Sequence, residues 1–439
     1  MKFTRSLLAL AAVACASSAF AAPNASRIAI SSGASAAFGN YRLALEQLCT
    51  SAGGTPTRFN DTGNLTTLVC ANSAVTGGAG GTYLSKPNGD FVNFAGTGFA
   101  EVRINVSKGS FSAVCLIQPS GWPTTGACAA AGAADLYRDP GTLTTVAPPA
   151  GSVIVGGLLD VEANAWPGSI LSGLVVPASA GAGVAQAFGV AVSSELYTKM
   201  FNAQRSVGIP TIAKPIPSTC NLGDTANPTC VPTISKAQMA TIMNGNEFNA
   251  AYTNGVGFLT GDPADNGVTL RYSRRADTSG TQASQQIYFL GLPCMTNPIS
   301  IVAGGQTLGA IQVQNHGGTS NVRADLNASG FAIGIMSGEN NQAESWRWIR
   351  VGGAAMAENA APGTAGITNS ASVKNGSYDF FFETTFASSG APGADAYWTA
   401  VNGSLNTLPA PIGLLNAAEL SAADGYAKGG ASCQLGVGN

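Results

Sequence analysis

A chain of 439 residues, 45% of them hydrophobic and only 10% charged, is long enough for two domains of ordinary size or for one core with large insertions. A formal net charge of −2 excludes partners that demand a basic field, nucleic acid and anionic membrane surfaces foremost. It leaves room for an anion held by local dipoles and one or two fixed cations, without long-range steering.

The N-terminus reads as an export signal. Lys2 and Arg5 precede the apolar run Leu7 to Ala16, and Ala19-Phe20-Ala21 offers an A-x-A cleavage site, so residues 1–22 are expected to be removed. Cys15 leaves with them; a lipidated cysteine would want Leu three positions earlier and finds Ala12. The mature protein is therefore expected in the periplasm or secreted. Its cysteines are 49, 70, 115, 128, 220, 230, 294 and 433, an even set of the kind that forms disulfides outside the cytosol. Such a set allows on the order of a hundred connectivities. Sequence order suggests the short staples Cys49–Cys70, Cys115–Cys128 and Cys220–Cys230, with Cys294–Cys433 left as the long one. No C-x-x-C pair occurs and His316 is the single histidine, so neither a metal site nor a cofactor is expected.

In chain order, Arg27 to Ser31 alternates as a strand, and Ser32 to Gly39 turns into a helix with Tyr41, Leu45 and Leu48 on one face. Residues 51–98 read as loops and short strands. Glu101 to Val106 alternates as a strand, followed by Gly109-Ser110-Phe111-Ser112 and a Gly/Ala/Pro-rich, Cys-stapled excursion to Pro149. Val153 to Glu162 is a buried-type strand that meets Asp160. The uncharged stretch Ala163 to Ser194 carries Pro167, Pro177 and many small residues, which fits a core run rather than a membrane span. A helix is expected over Leu196 to Gln204, and another after Ser235 as N-cap with Gly245 closing it.

The most informative stretch is Ser273-Arg274-Arg275-Ala276-Asp277-Thr278-Ser279-Gly280-Thr281-Gln282. Ser279 and Gln282 have capping-box spacing. Ala283, Ile287 and Leu290 then form one apolar stripe, stopped by Gly291 and Pro293. The amides of Gly280 and Thr281 would point out of a helix N-terminus toward negative charge. Arg275 adds a planar fork suited to tetrahedral oxyanions, and Asp277 is close enough in sequence to orient it. On spacing alone the stretch is equally an ordinary capped helix with a local Arg–Asp pair. Beyond it, Ser345 to Val351 reads as a strand, Tyr378 to Thr385 as a return crossing and His316 as a loop residue. No period of 20–50 residues repeats.

Arg274 to Thr281 resembles the R-R-A-D-G-S-G-T motif of periplasmic phosphate-binding proteins, the receptors of ABC phosphate importers, with Thr278 the one departure. The resemblance implies contacts to phosphate from Arg275, Asp277, Ser279, Gly280 and Thr281, directly or by orienting the arginine. Gly33 to Phe38 is similar to that family's first phosphate loop, G-A-G-A-T-F, with Ala37 where the family has its ligand threonine. Backbone amides at Ala37 and Phe38, or Ser35 by a small shift, are left to contribute. Ser110 or Ser112 would supply the family's strand-end serine. Asp160 would be the acceptor for the ligand's own proton, although a gapless slide places Ala165 there instead. An acceptor of that kind selects hydrogen phosphate over sulfate, because sulfate brings no donor.

The fold so implied is α/β, a two-lobed type II periplasmic-binding-protein fold with Cys-stapled loop insertions. Lobe 1 would comprise residues 23–190 plus 377–439 and lobe 2 residues 191–376, with crossings at Ala187 to Val192 and near Tyr378. The function expected is capture of phosphate or a related oxyanion by a monomer, without chemistry, for an ABC importer membrane complex. Two alternatives stand beside it. One is an extracellular structural or adhesive protein that kept the fold and lost the ligand, which the Ala37 departure favours. The other is a serine hydrolase, for which one histidine, no G-x-S-x-G elbow and no evident Ser–Lys pair offer little.

Overall fold

The computed structural model describes residues 28–60, 65–73, 91–106, 109–131, 151–176, 178–205, 216–224, 227–244, 249–294, 301–340, 345–356 and 371–408, and the pieces 414–416, 426–427, 432–433 and 437–438. The expected signal segment 1–22, Gly245 and Pro149 lie outside the described residues.

The chain folds as a mixed α/β protein around a curled 14-stranded sheet. Strand β1 (Ile28–Gly33) runs parallel to its neighbours Glu101–Asn105 and Ser152–Leu159. Counting along the chain, β2 (Thr55–Asn60) and β3 (Leu65–Ala71) extend the edge beyond β4 (Glu101–Asn105), and β5 (Ser152–Leu159) leads inward. The 14-residue β6 (Ser179–Val192) belongs to both halves of the sheet. Its first part pairs with the late strand Phe381–Ser388, and Phe188 to Val192 pairs with Ala332–Ser337. The second half adds β7 (Thr233–Ile234), β8 (Leu270–Arg275), β9 (Thr307–Leu308), β10 (Ile311–His316), β11 (Ala332–Ser337) and β12 (Arg347–Val351). Here β8 is parallel to both β10 and β11. The return strand β13 (Phe381–Ser388) is antiparallel to β5 and β6, and β14 (Leu414–Asn416) pairs with β6.

Two strands expected to alternate do not. β1 and β4 are buried at every position, because parallel strands reached by crossovers are covered on both faces. Ala29 joins the core formed by α1 (Phe38–Ser51) and a late helix through Tyr41, Leu45 and Trp398, whereas Ile30 packs on the opposite side with Leu116. The polar residues of β4 survive by pairing: Glu101 and Arg103 share one face and meet at 2.8 Å with both side chains buried.

Other helices follow the expected pattern. α2 (Ser194–Arg205) buries Leu196, Tyr197, Met200 and Phe201. α3 (Lys236–Met243) starts with a complete capping box, Ser235 accepting from the Gln238 amide while the Gln238 side chain accepts from the Ser235 amide. Ser235→Ala is expected to lower stability by about 1 kcal/mol, read as a shift in the urea midpoint at constant slope; an unchanged midpoint would show the cap to be replaceable. α4 (Gly280–Gln285) runs into a π-helical turn, Gln286–Leu290, before Gly291 stops it in a left-handed conformation. α5 (Thr319–Asn327) follows β10, and α6 (Ala394–Leu405) completes the first core, where Trp398 stacks on Tyr41 and Phe386 and donates to the Val155 carbonyl at 2.7 Å.

All four expected disulfides form: Cys49–Cys70, Cys115–Cys128, Cys220–Cys230 and Cys294–Cys433. The last spans 139 residues and fastens a C-terminal piece to the segment just after α4. Next to it the Ser432 amide donates to the Glu162 carboxylate at 2.6 Å. Among the described residues no helix is long and apolar enough to cross a membrane.

Candidate functional site

The loops that leave the carboxyl ends of the parallel strands converge, three from each half of the sheet. β1 leads to Ser35, β4 to Val106 and Gly109, and β5 to Asp160. β8 ends on Arg275, β10 leads to Gly317 through Asn321, and β11 leads to Glu339. Open α/β sheets place ligands in this position, outside the carboxyl ends of their strands. Tight backbone turns make the approach possible. Gly33 has φ of +140°, and a Cβ there would lie 2.1 Å from the Leu158 carbonyl oxygen, so no side chain fits where β1 meets β5. Across the two halves, the Phe111 amide donates to the Thr278 carbonyl at 3.3 Å.

A cavity of about 420 Å³ lies between these loops, lined by Ser35, Val106, Gly109, Arg275, Gly317, Gly318, Thr319, Ser320, Asn321 and Glu339. Arg275 is its cation. The side chain is 4% exposed; Nη1 donates to Thr319 Oγ1 at 2.7 Å and Nη2 to the Gly317 carbonyl at 3.2 Å. Its Nε finds no hydrogen-bond partner among the described residues. Burial pulls the guanidinium downward in pKa, and the negative fields of Asp160 and Glu339 oppose that.

Two carboxylates share this environment. Asp160 is 3% exposed, and its Oδ1 has no partner among the described residues. Burial, reinforced by Glu339 and opposed by Arg275, raises its pKa to about 7. The Asp160 amide donates to Ser110 Oγ at 2.8 Å, which fixes the backbone at the end of β5. Glu339 is partly buried; Ser337 Oγ donates to its Oε1 at 2.6 Å, while Oε2 is unpartnered among the described residues. Burial raises its pKa as well.

The expected residues divide accordingly. Arg275 and Ser35 line the cavity together. Asp160 is not among the lining residues but sits against the first residue of α4, where a Cβ on Gly280 would lie 2.2 Å from Asp160 Oδ2, and it is close enough to Arg275 and Glu339 to feel both charges. Gly280 thus makes room for a carboxylate of its own chain. Asp277 does not orient Arg275: it is mostly exposed and forms an ion pair with Arg274, three residues back, which also donates to the Val302 carbonyl at 2.7 Å. Arg274 and Arg275, adjacent on β8, leave opposite faces of the strand, and Asp277 in the turn beyond pairs with the first of them. Ser279 precedes α4 but makes no side-chain cap, and the Gln282 side chain accepts the Arg275 amide at 3.0 Å instead of reaching back to Ser279. Thr281 is buried. Ser112 Oγ donates to the Gly109 carbonyl at 2.7 Å and contacts Ser32, so it is committed within the loop. Ala37 is buried ahead of α1, with Phe38 half-buried at its start. Ala165 sits in a buried 3-10 turn, away from the strand end that Asp160 occupies.

Two features escaped the sequence reading. The first turn of α5 lines the cavity beside Arg275, and Gly318 at its start offers no side-chain cap, so the positive end of the helix dipole adjoins the same space. The signal was available in Gly317-Gly318-Thr319 after a strand. Glu339 is the second, and no spacing pointed to it. His316 also differs from expectation: it ends β10 rather than lying in a loop, and its Nε2 is 3.6 Å from Asp325 Oδ2.

No family model matches the chain, and no curated protein matches it. Two solved structures resemble it at low overlap. An ABC-type phosphate transport receptor from Vibrio cholerae is 15% identical with a TM-score of 0.30, covering 56% of this chain and 72% of that one. A possible phosphate binding protein from Planctomyces limnophilus DSM 3776 is 8% identical with a TM-score of 0.29, covering 86% of this chain and 98% of that one. Overlap at this level carries no functional argument, so the case for the site rests on its own geometry.

Proposed function

We propose that this protein is an exported binding protein that captures phosphate or a related tetrahedral oxyanion at Arg275 and performs no chemistry on it. The observation that carries this reading is the Arg275 Nε, a buried charged donor without a partner among the described residues, on the wall of a cavity that also receives the first turn of α5. A buried donor left unpaired costs free energy that an anion would recover. Asp160 serves as acceptor for a ligand hydroxyl, which disfavours sulfate. In this reading β6 and β13 are the crossings between lobe 1 (23–190 and 377–439) and lobe 2 (191–376). Delivery to a membrane importer is the partner role that the motif resemblance suggests, and four disulfides fit an oxidising compartment.

The direct test is calorimetric titration of the mature chain with phosphate and with sulfate. Phosphate is expected to bind below the millimolar range and at least about tenfold tighter than sulfate, a difference near 1.4 kcal/mol. Failure of both anions to bind would sink the proposal. It would favour the second reading, a fold that lost its ligand, for which the engagement of Nη1 and Nη2 by Thr319 and Gly317 speaks. A serine hydrolase finds less support: Ser273 donates to Asp325 rather than standing against His316.

A further inference from the structure

Glu339 is the one carboxylate among the described lining residues of the cavity, and it comes in addition to nearby Asp160, the acceptor assigned above to oxyanion capture. Its placement is built rather than incidental. It follows β11 directly, Ser337 Oγ holds Oε1 at 2.6 Å, and Asn340 Nδ2 donates to the same oxygen at 3.3 Å. Oε2 is unpartnered among the described residues, as is Asp160 Oδ1. Arg275 is the one cation among the described lining residues. Arg274, its chain neighbour, is committed to Asp277.

With all three groups ionised, one positive charge faces two negative ones. A dianion entering that space would add two more negative charges with no further fixed cation to meet them. Each such contact is repulsive, and the more so where the protein walls displace water. Both free carboxylate oxygens instead need a proton donor opposite them. We propose, resting on the oxyanion reading above, that Glu339 is a specificity-determining residue that shares a second ligand proton, so that the site takes dihydrogen phosphate or another monoanionic oxyacid with two hydroxyls.

The charged groups that act on Glu339 are Arg275 and Asp160, with Ser337 and Asn340 as its neutral partners. Burial raises both carboxylates, which agrees with protons being held in this space. A phosphonate monoanion offers only one hydroxyl, and sulfate offers none.

The test compares wild type with Glu339→Gln, whose amide keeps the shape of the side chain but replaces one acceptor by a donor. Phosphate, methylphosphonate and sulfate are titrated calorimetrically at several pH values between about 6 and 8.5. Wild type is expected to bind phosphate with an affinity that falls with rising pH. The dependence in Glu339→Gln should be weaker by one proton, so the ratio of the two constants changes by about tenfold per pH unit. Methylphosphonate should bind the variant at least about tenfold tighter than it binds wild type. Parallel pH profiles with an unchanged phosphate-to-methylphosphonate ratio would overturn the role of Glu339 while leaving oxyanion capture intact. Binding of an oxyanion by the variant alone would overturn both the inference and the function it rests on, since the natural site would then take no oxyanion. Binding by neither protein would overturn both as well. A variant that does not fold is replaced by Glu339→Asp, which keeps the charge but withdraws it from the ligand; its affinity for methylphosphonate should then exceed that of wild type, and an equal affinity counts against the proposal.

Discussion

Arg275→Ala is expected to weaken phosphate binding by at least about 100-fold, because truncating one partner of a buried charge pair costs about 2–5 kcal/mol. The guanidinium supplies the fixed positive charge of the cavity, and its Nε is the donor that the chain itself does not use. Fold stability should change much less. The partners released are the Thr319 hydroxyl and the Gly317 carbonyl, both at the wall of a cavity where water can replace the lost donor. The variant removes the favourable field on Asp160 as well, so that carboxyl should rise in pKa beyond about 7. Calorimetry and thermal melts on the same preparation separate the two effects. Equal phosphate affinity in the variant would remove Arg275 from the site, and a collapse of the melting temperature would make its role structural.

Asp160→Asn should make the ligand-free protein more stable at alkaline pH and flatten its pH dependence. Asp160 has its pKa raised from 3.8 to about 7 by burial and by Glu339, with Arg275 opposing. Between those values the folded state holds a proton that the unfolded state has released. Stability conferred by that proton is therefore complete below about pH 4 and is lost as pH rises through about 7. A shift of this size corresponds to about 4 kcal/mol across the window as an order of magnitude. Asparagine keeps the amide that donates to Ser110 and the side-chain shape, without a charge to bury. Urea midpoints at about pH 5 and pH 8 provide the check: wild type should fall between them and the variant should fall less. The remaining slope belongs partly to Glu339, which is raised in the same direction. Matching slopes for the two proteins would show that Asp160 ionises freely in the folded state, and burial would then not raise its pKa.

Much of the architecture was legible locally. The capping box at Ser235 and Gln238, the apolar stripe of Ala283, Ile287 and Leu290, the stop at Gly291 and the disulfide pairing all depend on neighbours in sequence or on chain order. The capping box anticipated at Ser279 and Gln282 has the same spacing and does not form. There, Gln282 meets the backbone of a buried strand that no local rule brings near, and a buried amide competes successfully for its oxygen. Strand burial in β1 and β4 escaped periodicity for a related reason, since covering both faces is a property of the assembled layers.

At the candidate site the division is sharper. Two arginines before a helix start, small residues after the strands that begin at Arg27 and Glu101, and a carboxylate at the end of the strand from Val153 were legible in the chain, because they are properties of order along it. Only the tertiary structure decided that Arg275 rather than Arg274 faces the cavity, and that Asp277 pairs with Arg274. It also decided that Gly280 makes room for Asp160 and that Glu339 arrives from β11 beside them. Side chains alternate across a strand, and loops separated by more than a hundred residues meet only when the sheet closes. Whether a carboxylate orients a cation or competes with its ligand is therefore set by register and burial rather than by spacing.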